Sequence, residues 1–535
     1  MRRRTALRAA GATAATVLPW AAACGGPDKA PAPGRTSSAA NTSATAHRPS
    51  ATASAPPSSA PPADKASWAA LARDLDGSLI RPSDARYATA RRLYNTRFDT
   101  LRPAALAYVQ HPEDVATCLA FARRHAVPVA IRSGGHSYAG FSSGDGRLVV
   151  DVSALNTVAA PSRGTVTVGA GTRLMELYTG LDRHGVTVPA GSCPTVGVSG
   201  LTLGGGHGVT SRAYGLTCDN LVGATLVTAD GRTLECDRGR HSDLFWALRG
   251  AGNGNFGVVT SLRLRTHPAP DGVTAYLTWP WSRAGAVLRS WQEWGPTQAD
   301  EIWSSCHLTA GSGSPTVSVA AFSLGTYGDL QNAVDRLADR AGGPGPASSV
   351  SLRPTPYLRA MESYAGCSSD DLAQCHLPGS LPGREAAGRL ARETYAARSH
   401  FFDRSLDSAA AGALQGQVEA AARRGVNGDV ALTALGGAVG RVGVTDTAFV
   451  HRRARFLAQY LASWPQSGSS AAASAWLSDV HRAMQRAASG AYQNYADAGL
   501  KDWRAEYYGP AADRLADVKR SYDPDGLFRS FAQAL

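Results

Sequence analysis

Hydrophobic and polar positions follow two periods along residues 100–269. Short β-branched segments such as VPVAIR and LVVDV predict buried strands, whereas VATCLAFARRHA and LMELYTGLD place apolar residues at helical spacing. The first of these helices follows His111-Pro112-Glu113-Asp114, and a proline with acidic residues is typical of a helix start. A strand, a helix and a strand in succession therefore predict a βαβ unit.

The pattern changes after Pro270. Strand-like GVTAYLTWP and TVSVAAFSL each precede an amphipathic helix, and long alanine-rich helices follow. Such an alternation predicts an antiparallel sheet that is covered by helices on one side. The last 50 residues become aromatic, with YQNYAD and WRAEYYG. The sequence thus predicts an α+β fold in three folded stretches, residues 67–269, 270–485 and 486–535.

The first 66 residues have the composition of a leader and a tether. Arginines precede a short apolar stretch, Ala9–Ala23, as in a signal peptide, and Arg3-Arg4 resembles a twin-arginine signal. Cys24 stands where a lipoprotein would be cleaved and lipidated. Residues 25–66 are mostly Ala, Pro, Ser, Thr and Gly and predict a disordered linker. We expect a signal peptide over residues 1–24 and an exported protein, secreted or held at the surface by a lipid on Cys24. The alternative is a start site misplaced into an alanine-rich tract.

The net charge of the chain does not point to a further function. The net charge is +12, but seven basic and two acidic side chains lie in the first 64 residues, and the rest are scattered. After the leader there is no run of five or six basic residues, so we expect no nucleic-acid partner. No stretch offers the roughly 20 uninterrupted apolar residues of a spanning helix. With 44% hydrophobic residues, the chain is not disordered throughout. We expect a monomer.

The expected export makes the other cysteines candidates for disulfides. Besides Cys24 there are seven, an odd number, so at least one thiol is left outside any internal disulfide. Cys367 and Cys375 lie close together in the loop-like stretch GCSSDDLAQCHLPG, and export makes disulfides possible. We predict a Cys367–Cys375 disulfide.

Two glycine-rich loops are the strongest candidate ligand site. They are RSGGHSYAG at residues 132–140 and PAGSCPTVGVSGLTLGGGHG at residues 189–208. Closely spaced glycines let backbone N–H groups approach an anion, and a diphosphate is the ligand that such a site suits best. The alternative is a pair of tight surface turns. A literal GxGxxG at residues 252–257 follows a predicted helix and precedes a strand, the reverse of a Rossmann fingerprint, which disfavours a nicotinamide site. We expect no metal site.

Five motifs occur in order over residues 100–535: RSGGHSYAG, GSCPTVGVSGLTLGGGHG, GAGNGNFGVVT, YQNYAD and YYGPAADRLADVKRSYDPDGLF. Together they resemble the berberine-bridge-enzyme-like family of FAD-linked oxidases, which has the vanillyl-alcohol-oxidase/PCMH fold. The resemblance implies an FAD-binding domain over residues 67–269, completed by residues 486–535. It assigns residues 270–485 to substrate binding.

The resemblance also implies a bicovalent flavin. His136 matches the histidine joined to the flavin 8α-methyl carbon, and Cys193 matches the cysteine joined to flavin C6. An imidazole and a thiolate are both nucleophiles suited to such bonds. The alternatives are a His136 that only hydrogen-bonds within its loop and a Cys193 in a disulfide. The implied cofactor-binding residues are Arg132, Ser133, Gly134, Gly135, His136, Ser137, Cys193, Val196, Gly197, Gly200, Gly204, Gly205, Gly208, Asn255, Gly257, Val258 and Asn494.

The chain departs from the family pattern at Ser199-Gly200-Leu201, where Gly-Gly-His is frequent, so local packing must differ. Val196 matches the position that gates oxygen access to the flavin, and its small side chain implies an oxidase. Tyr492 matches the proton-accepting position and Tyr138 faces the same part of the ring. A tyrosine that acts as a base near neutral pH needs a pKa lowered from about 10. The alternative is that these tyrosines only pack.

The expected function is an exported, FAD-dependent oxidase. It would take a hydride from an alcohol carbon, of a sugar or a secondary metabolite, and reduce O2 to H2O2. The alternatives are a dehydrogenase that uses another electron acceptor and a non-catalytic flavoprotein. Residues 270–480 should determine the substrate, but their pattern shows no readable pocket.

Overall fold

The computed structural model describes residues 62–367, 371–529, 533 and 535. The predicted signal peptide, Cys24 and the linker up to residue 61 lie outside the described residues. The first helix, α1, spans Lys65–Asp74, so it includes the last two residues of the predicted linker. The cause is Asp64, whose carboxylate accepts a hydrogen bond of 2.7 Å from the Ser67 N–H and caps the helix. Within the described residues, no helix combines the length and apolarity needed to cross a membrane.

Residues 62–269 form short strands with helices between them. After α1, the helices are α2 Tyr87–Ala90, α3 Pro112–Arg124, α4 Leu174–Asp182, α5 Val198–Leu203, α6 Ser211–Tyr214 and α7 Ser242–Leu248. The strands are β1 Ser78–Ile80, β2 Ala105–Tyr108, β3 Val129–Arg132, β4 Leu148–Asp151, β5 Thr165–Gly169, β6 Val186–Thr187, β7 Leu221–Val227, β8 Thr233–Cys236, β9 Val258–Arg265 and β10 His267–Pro268.

These strands form two four-stranded sheets and a small pair. The first sheet has the order β1-β2-β4-β3, and the second has the order β5-β9-β7-β8. Strands β6 and β10 pair with each other. The predicted βαβ unit is present as β2, α3 and β3, but β4 lies between its two strands and is parallel to both. The glycine-rich loop at residues 132–140 begins where β3 ends, at an edge shared with β4.

Residues 270–485 form a single large sheet and its helices. The strands are β11 Gly272–Trp279, β12 Ile302–Ala310, β13 Thr316–Ser323, β14 Ser349–Thr355, β15 Tyr395–Phe402, β16 Asn427–Ala434 and β17 Phe456–Ser463. The helices are α8 Ala284–Trp294, α9 Tyr327–Ala338, α10 Tyr357–Tyr364, α11 Ser408–Arg423, α12 Ala438–Arg441 and α13 Ala471–Met484. Two further helices, α14 Trp503–Tyr508 and α15 Ala512–Tyr522, belong to the C-terminal stretch.

The seven-stranded sheet is antiparallel throughout, in the order β14-β11-β13-β12-β16-β17-β15. Its two faces differ because side chains alternate along a strand. One face packs against α8, α9, α11 and α13 in a core that includes Trp279, Trp291 and Trp476. The other face carries polar side chains towards the first part of the chain. This arrangement confirms the α+β fold with an antiparallel sheet covered by helices on one side.

The C-terminal stretch packs against the FAD-binding stretch inferred from the motifs. Lys519 on α15 is buried, forms an ion pair of 2.8 Å with Asp523, and donates to the Asn255 carbonyl oxygen at 2.6 Å. Tyr508 and Phe528 lie in the same hydrophobic core as α3, α4 and α7. The first part of the described chain and its C-terminal stretch therefore share one hydrophobic core.

The structure contains the predicted disulfide between Cys367 and Cys375, whose Cα atoms lie 5.5 Å apart. Its sulfurs pack against Met175 on α4. Four other cysteines of the described residues are free and buried, namely Cys118, Cys218, Cys236 and Cys306.

A buried arginine joins the two halves of the molecule. Arg212 on α6 is only 1% exposed. Its guanidinium donates to the carbonyl oxygens of Ile302 at 2.8 Å and of Pro296 at 3.0 Å, and also to those of Gln298 and Leu435. All four acceptors belong to the part of the chain that contains the large sheet. One side chain thus satisfies four backbone groups across this contact.

We predict that Arg212→Met lowers the free energy of unfolding by at least about 3 kcal/mol, since it leaves several buried carbonyl groups without a donor. The midpoint of thermal unfolding checks this. The matched control is Arg520→Met, because Arg520 is 70% exposed at its side chain and pairs only with Asp517 on its own helix. Equal midpoints for the two variants would contradict the prediction.

Candidate active site

A cavity of about 400 Å³ lies where the two glycine-rich loops, the polar face of the large sheet and the C-terminal stretch meet. This is within the volume range of ligand sites in proteins. Most of the residues that the sequence singled out line it: Ser133, Gly134, Gly135, His136, Ser137, Tyr138, Cys193, Val196, Gly197, Gly200, Gly208, Asn255, Tyr492 and Asn494.

Five of the singled-out residues do not line the cavity. Arg132 is buried beneath the first loop, where it forms an ion pair with Asp151 and donates to the Tyr108 hydroxyl at 3.3 Å. Gly257 and Val258 lie at the start of β9, and a Cβ on Gly257 would come within 2.7 Å of a carbonyl oxygen of β7. Arg132 therefore lies behind the first loop, whereas Gly257 and Val258 bring β9 against β7.

Gly204 and Gly205 likewise serve the contact with the C-terminal stretch. A Cβ on Gly204 would lie 2.0 Å from Asn494 Oδ1. Gly205 has φ +130° and its Cβ would meet the rings of Phe449 and Tyr492. Glycine is needed at both positions because other side chains occupy the space.

The backbones of the two glycine-rich loops lie so close together that the residues at the contact have no room for a side chain. A Cβ on Gly134 would lie 2.2 Å from the Gly197 nitrogen. Within the described residues, none of the backbone N–H groups from Gly134 to Ser137 donates a hydrogen bond to another backbone group. The lining contains no lysine or arginine. The N–H groups of residues 134–137 are therefore what this cavity offers to a diphosphate.

His136 lies in the first loop and faces the cavity. Its Nε2 is 2.9 Å from Thr195 Oγ1, and its ring stacks on Tyr94 with centroids 4.1 Å apart. Burial, with a smaller contribution from the Arg173 guanidinium, lowers the pKa of His136 to about 3. The imidazole is therefore neutral at neutral pH and keeps a nucleophilic lone pair.

Cys193 lines the same cavity from the second loop. Its sulfur is disulfide-bonded in the structure, which is the alternative that the sequence left open. A thioether to flavin would use the same sulfur and would require that disulfide to be reduced first. Val196, three residues later, also faces the cavity and anchors the loop, since its carbonyl oxygen accepts from the Leu174 N–H at 3.0 Å.

Tyr492 is held at its oxygen by two donors. The Gly206 N–H lies 2.7 Å away and Asn494 Nδ2 lies 2.8 Å away. Burial raises the pKa of Tyr492 above its usual value, in spite of these two hydrogen bonds. The expected lowering is absent because no cationic side chain lines the cavity. Both hydrogen bonds favour the phenolate, which would still have a lone pair for a substrate proton, so Tyr492 as proton acceptor stays a prediction.

Tyr138 and Tyr495 stack on each other, with ring centroids 5.1 Å apart. The Tyr138 hydroxyl accepts a hydrogen bond of 2.8 Å from Gln459 on the large sheet, and burial raises the pKa of Tyr138 as well. The Tyr495 hydroxyl lies 2.8 Å from His207 Nε2. Burial likewise raises the pKa of Tyr495.

Asn494 and Asn255 use their amides inside the protein. Asn494 Nδ2 donates to the Leu201 carbonyl oxygen at 2.9 Å as well as to Tyr492, and its Oδ1 accepts from Asn253 at 2.7 Å. Asn255 donates to the Ala251 carbonyl oxygen at 2.8 Å. Both residues border the cavity, but their amides fasten the C-terminal stretch and the 252–257 loop.

The large sheet contributes a polar wall that the sequence did not reveal. His307 Nδ1 lies 3.1 Å from Asp429 Oδ2, its Nε2 lies 3.2 Å from Ser305 Oγ, and Thr309 donates to Asp429 Oδ1 at 2.7 Å. The Trp303 indole N–H has no partner within the described residues. The sequence of β12 does alternate between polar and apolar side chains, which could have indicated a polar face. The sequence of one strand does not reveal which of its faces borders a cavity.

Several unsatisfied groups show that the cavity suits FAD. Trp303 Nε1, His207 Nδ1, Asn253 Oδ1 and Gln493 Oε1 all border it, and none of these buried atoms has a hydrogen-bond partner in the described structure. Buried polar groups are normally paired, so such a set indicates a polar ligand. Together with the glycine loops and the nucleophilic imidazole of His136, these atoms fit a flavin dinucleotide.

Comparisons with known proteins agree with this site. A family model described as an FAD binding domain matches residues 103–237, and one described as berberine and berberine like matches residues 491–533. A FAD-linked oxidoreductase of Bacillus subtilis, YgaK, is 31% identical over 468 residues, which is 86% of this chain and 97% of the relative. The chain belongs to the berberine-bridge-enzyme-like family of FAD-linked oxidoreductases.

Other members of the family share its length and fold. The chitooligosaccharide oxidase of Gibberella zeae is 30% identical over 463 residues, 82% of this oxidoreductase and 88% of the relative. The solved structure of Physcomitrella patens BBE-like 1 superposes with a TM-score of 0.78 at 28% identity, covering 86% of this chain and 97% of the other. The recognition of the family from five sequence motifs is confirmed.

We predict that Gly134→Ala prevents flavin from being retained, because the added methyl group would force the two loops apart. The ratio of absorbance at 450 and 280 nm in purified protein measures this, and we expect it to fall at least tenfold. The control is Gly412→Ala on α11, where a Cβ meets nothing within 4 Å. Full flavin content in Gly134→Ala would contradict the close-approach argument.

Proposed function

We propose that this protein is an exported FAD-dependent oxidase. It takes a hydride from an alcohol carbon of a sugar or a secondary metabolite, holds FAD through His136 and Cys193, and reduces O2 to H2O2. The observation that carries the proposal is a single cavity in which the glycine-rich loops form one side and the polar face of the large sheet forms the other. The glycine loops present His136 and Cys193 on one wall, and the sheet presents hydroxyl-binding side chains on the other.

The sheet wall favours an uncharged, hydroxyl-bearing substrate. Among the described residues, Asp429 is the only carboxylate that lines the cavity, and no lysine or arginine there could balance an acidic substrate. Ser305, His307 and the Trp303 N–H offer donors and acceptors suited to hydroxyl groups. Carbohydrate oxidase activity in a relative supports the sugar alternative.

The residues of the chain have separate tasks in such a reaction. FAD, when bound, supplies the hydride acceptor. The neutral imidazole of His136 provides an attachment point, and the N–H groups of residues 134–137 face the diphosphate. Gln459 fixes the Tyr138 hydroxyl, and the Gly206 N–H fixes that of Tyr492. Tyr138 would orient the substrate, and Tyr492, whose two donors favour the phenolate, would accept the proton of the substrate hydroxyl.

Val196 supports an oxidase over a dehydrogenase. Its side chain borders the cavity between Cys193 and α5, and a valine leaves more room for O2 than a longer side chain would. The competing function is a dehydrogenase on the same scaffold that passes electrons to another acceptor.

Export is part of the proposal and rests on the sequence alone. The paired arginines and Cys24 favour transport of a folded protein and attachment by a lipid. A cofactor bound through covalent links is not lost outside the cell. Both features serve the same location.

We predict that acid-precipitated wild-type protein keeps its flavin in the pellet. His136→Ala and Cys193→Ala alone should each retain one link, and the double variant should release all flavin to the supernatant. The control is His184→Ala, an exposed residue outside the cavity. If Cys193→Ala equals the wild type while His136→Ala loses everything, the link is single. A colourless wild-type pellet would contradict covalent attachment altogether.

We predict that cellobiose, N,N′-diacetylchitobiose or xylobiose bleaches the flavin without oxygen, whereas glucuronate does not, since Asp429 repels its carboxylate. Stopped-flow absorbance at 450 nm measures this step. Admitting air should restore the absorbance and yield one H2O2 per product. Val196→Ile should slow only the second phase. Bleaching without reoxidation by air would favour the dehydrogenase, and no bleaching by any neutral sugar or alcohol would contradict the enzyme.

A further inference from the structure

We propose that the buried guanidinium groups of Arg132 and Arg173 bind a small monovalent anion, such as chloride, behind the first glycine-rich loop. The site is separate from the cavity, since neither arginine lines it. The inference goes beyond the proposed oxidase function and does not depend on it.

Both arginines are enclosed by protein, yet each keeps one nitrogen without a partner. Arg132 is 4% exposed and Arg173 is 7% exposed. Within the described residues, Nη1 of each side chain has no hydrogen-bond acceptor. Buried polar groups are normally paired, and a guanidinium keeps all of its protons, so two such atoms indicate an acceptor bound between the protein groups.

The two guanidinium groups lie close together because one short segment holds both of them. Arg132 forms an ion pair with Asp151. The other carboxylate oxygen of Asp151 accepts from the Ser153 N–H at 2.8 Å, and Ser153 Oγ accepts from Arg173 Nη2 at 3.0 Å. A single anion beside residues 151–153 can therefore serve both side chains.

The charges at this place do not balance. In the described part of the chain, Asp151 is the only carboxylate within ion-pairing distance of either arginine. Its contact with Arg132 outweighs burial and raises the pKa of Arg132. Burial lowers the pKa of Arg173, although Asp151 and Glu176 oppose this effect from a greater distance. A buried charge without its own counter-ion is strongly destabilising, and one monovalent anion would supply that counter-ion.

A segment of the large-sheet half of the molecule closes this place. Gly383, with φ +74°, lies directly against Arg173, because a Cβ there would come within 2.1 Å of Arg173 Nη2. Leu381 packs in a small core with Tyr108. Burial lowers the pKa of the neighbouring Arg384, and the guanidinium groups around it lower that pKa further. The segment therefore adds positive charge to the site that it covers.

An anion at Arg173 would steady the second glycine-rich loop. Arg173 directly precedes α4, and its chain neighbours fasten that loop on both sides. The Leu174 N–H donates to the Val196 carbonyl oxygen at 3.0 Å, and the Val198 N–H donates to the Thr172 carbonyl oxygen at 2.9 Å. A ligand that binds only the folded protein stabilises it, so we expect the anion to raise the midpoint of thermal unfolding.

The first test locates the anion in crystals of the flavin-bound protein, so that a flavin diphosphate cannot be mistaken for it. The crystals are soaked in sodium bromide, and diffraction is measured at the bromine absorption edge. We expect an anomalous peak within about 3.5 Å of Nη1 of Arg132 or Arg173. Water alone at these two atoms, with bromide only elsewhere, would overturn the proposal.

The second test follows thermal unfolding of the flavin-bound protein at constant ionic strength while chloride replaces gluconate, an anion too large for an enclosed site. We expect the midpoint to rise by about 2 to 4 °C and then to saturate. Arg173→Met should lose this dependence on chloride, whatever its own midpoint is. Arg384→Gln, which removes charge only from the covering segment, should shift the titration to higher chloride.

The matched control is Arg520→Met, whose exposed guanidinium pairs only with Asp517, and it should respond to chloride as the wild type does. A wild-type midpoint that does not depend on chloride would overturn the proposal, even beside a bromide peak, because the peak would then report binding at crystal concentration only. If Arg173→Met does not fold, an unchanged titration in Arg384→Gln would count against the site in the same way.

Discussion

The close approach of the two glycine-rich loops is the constraint on which the site depends. At Gly134 and Gly197 the backbones are so near that even a methyl group would not fit. This contact leaves backbone N–H groups free, places His136 on one side of the cavity and brings α5 to its edge. An anion can then be held without basic side chains, which the cavity lining lacks. The same lack of positive charge explains why the tyrosines keep raised pKa values.

The fold-level features were predictable because they depend on local pattern. Period-two and helical spacing located most strands and helices, and eight residues of separation were enough to pair Cys367 with Cys375. The insertion of β4 between β2 and β3 could not be predicted, since strand order depends on contacts distant in sequence. The start of α1 at Lys65 was not predicted either, because it depends on a single capping carboxylate, that of Asp64.

The site was predictable where it depends on motifs and unpredictable where it depends on docking. His136 and Cys193 stand in recognisable loops. By contrast, Tyr495 and His207 are 288 residues apart in sequence, and only the folded C-terminal stretch brings them together. The surroundings of Tyr492 depend on docking as well, since one of its two donors, the Gly206 N–H, is 286 residues away in sequence and burial outweighs both hydrogen bonds. Asp429 and His307 belong to strands whose polar face becomes a wall only after the two halves pack.

The C-terminal stretch couples cofactor binding to the stability of the folded protein. It closes the cavity through Asn494 and holds the 252–257 loop through Lys519. The closed cavity then contains buried polar atoms, such as Asn253 Oδ1 and His207 Nδ1, that the protein itself does not satisfy. Each such group costs free energy in the flavin-free protein, and a bound ligand that pairs them stabilises the folded state. Under the proposed export, a chain that is completed around its cofactor in this way is best folded and loaded before transport, which is the order that a twin-arginine signal would impose.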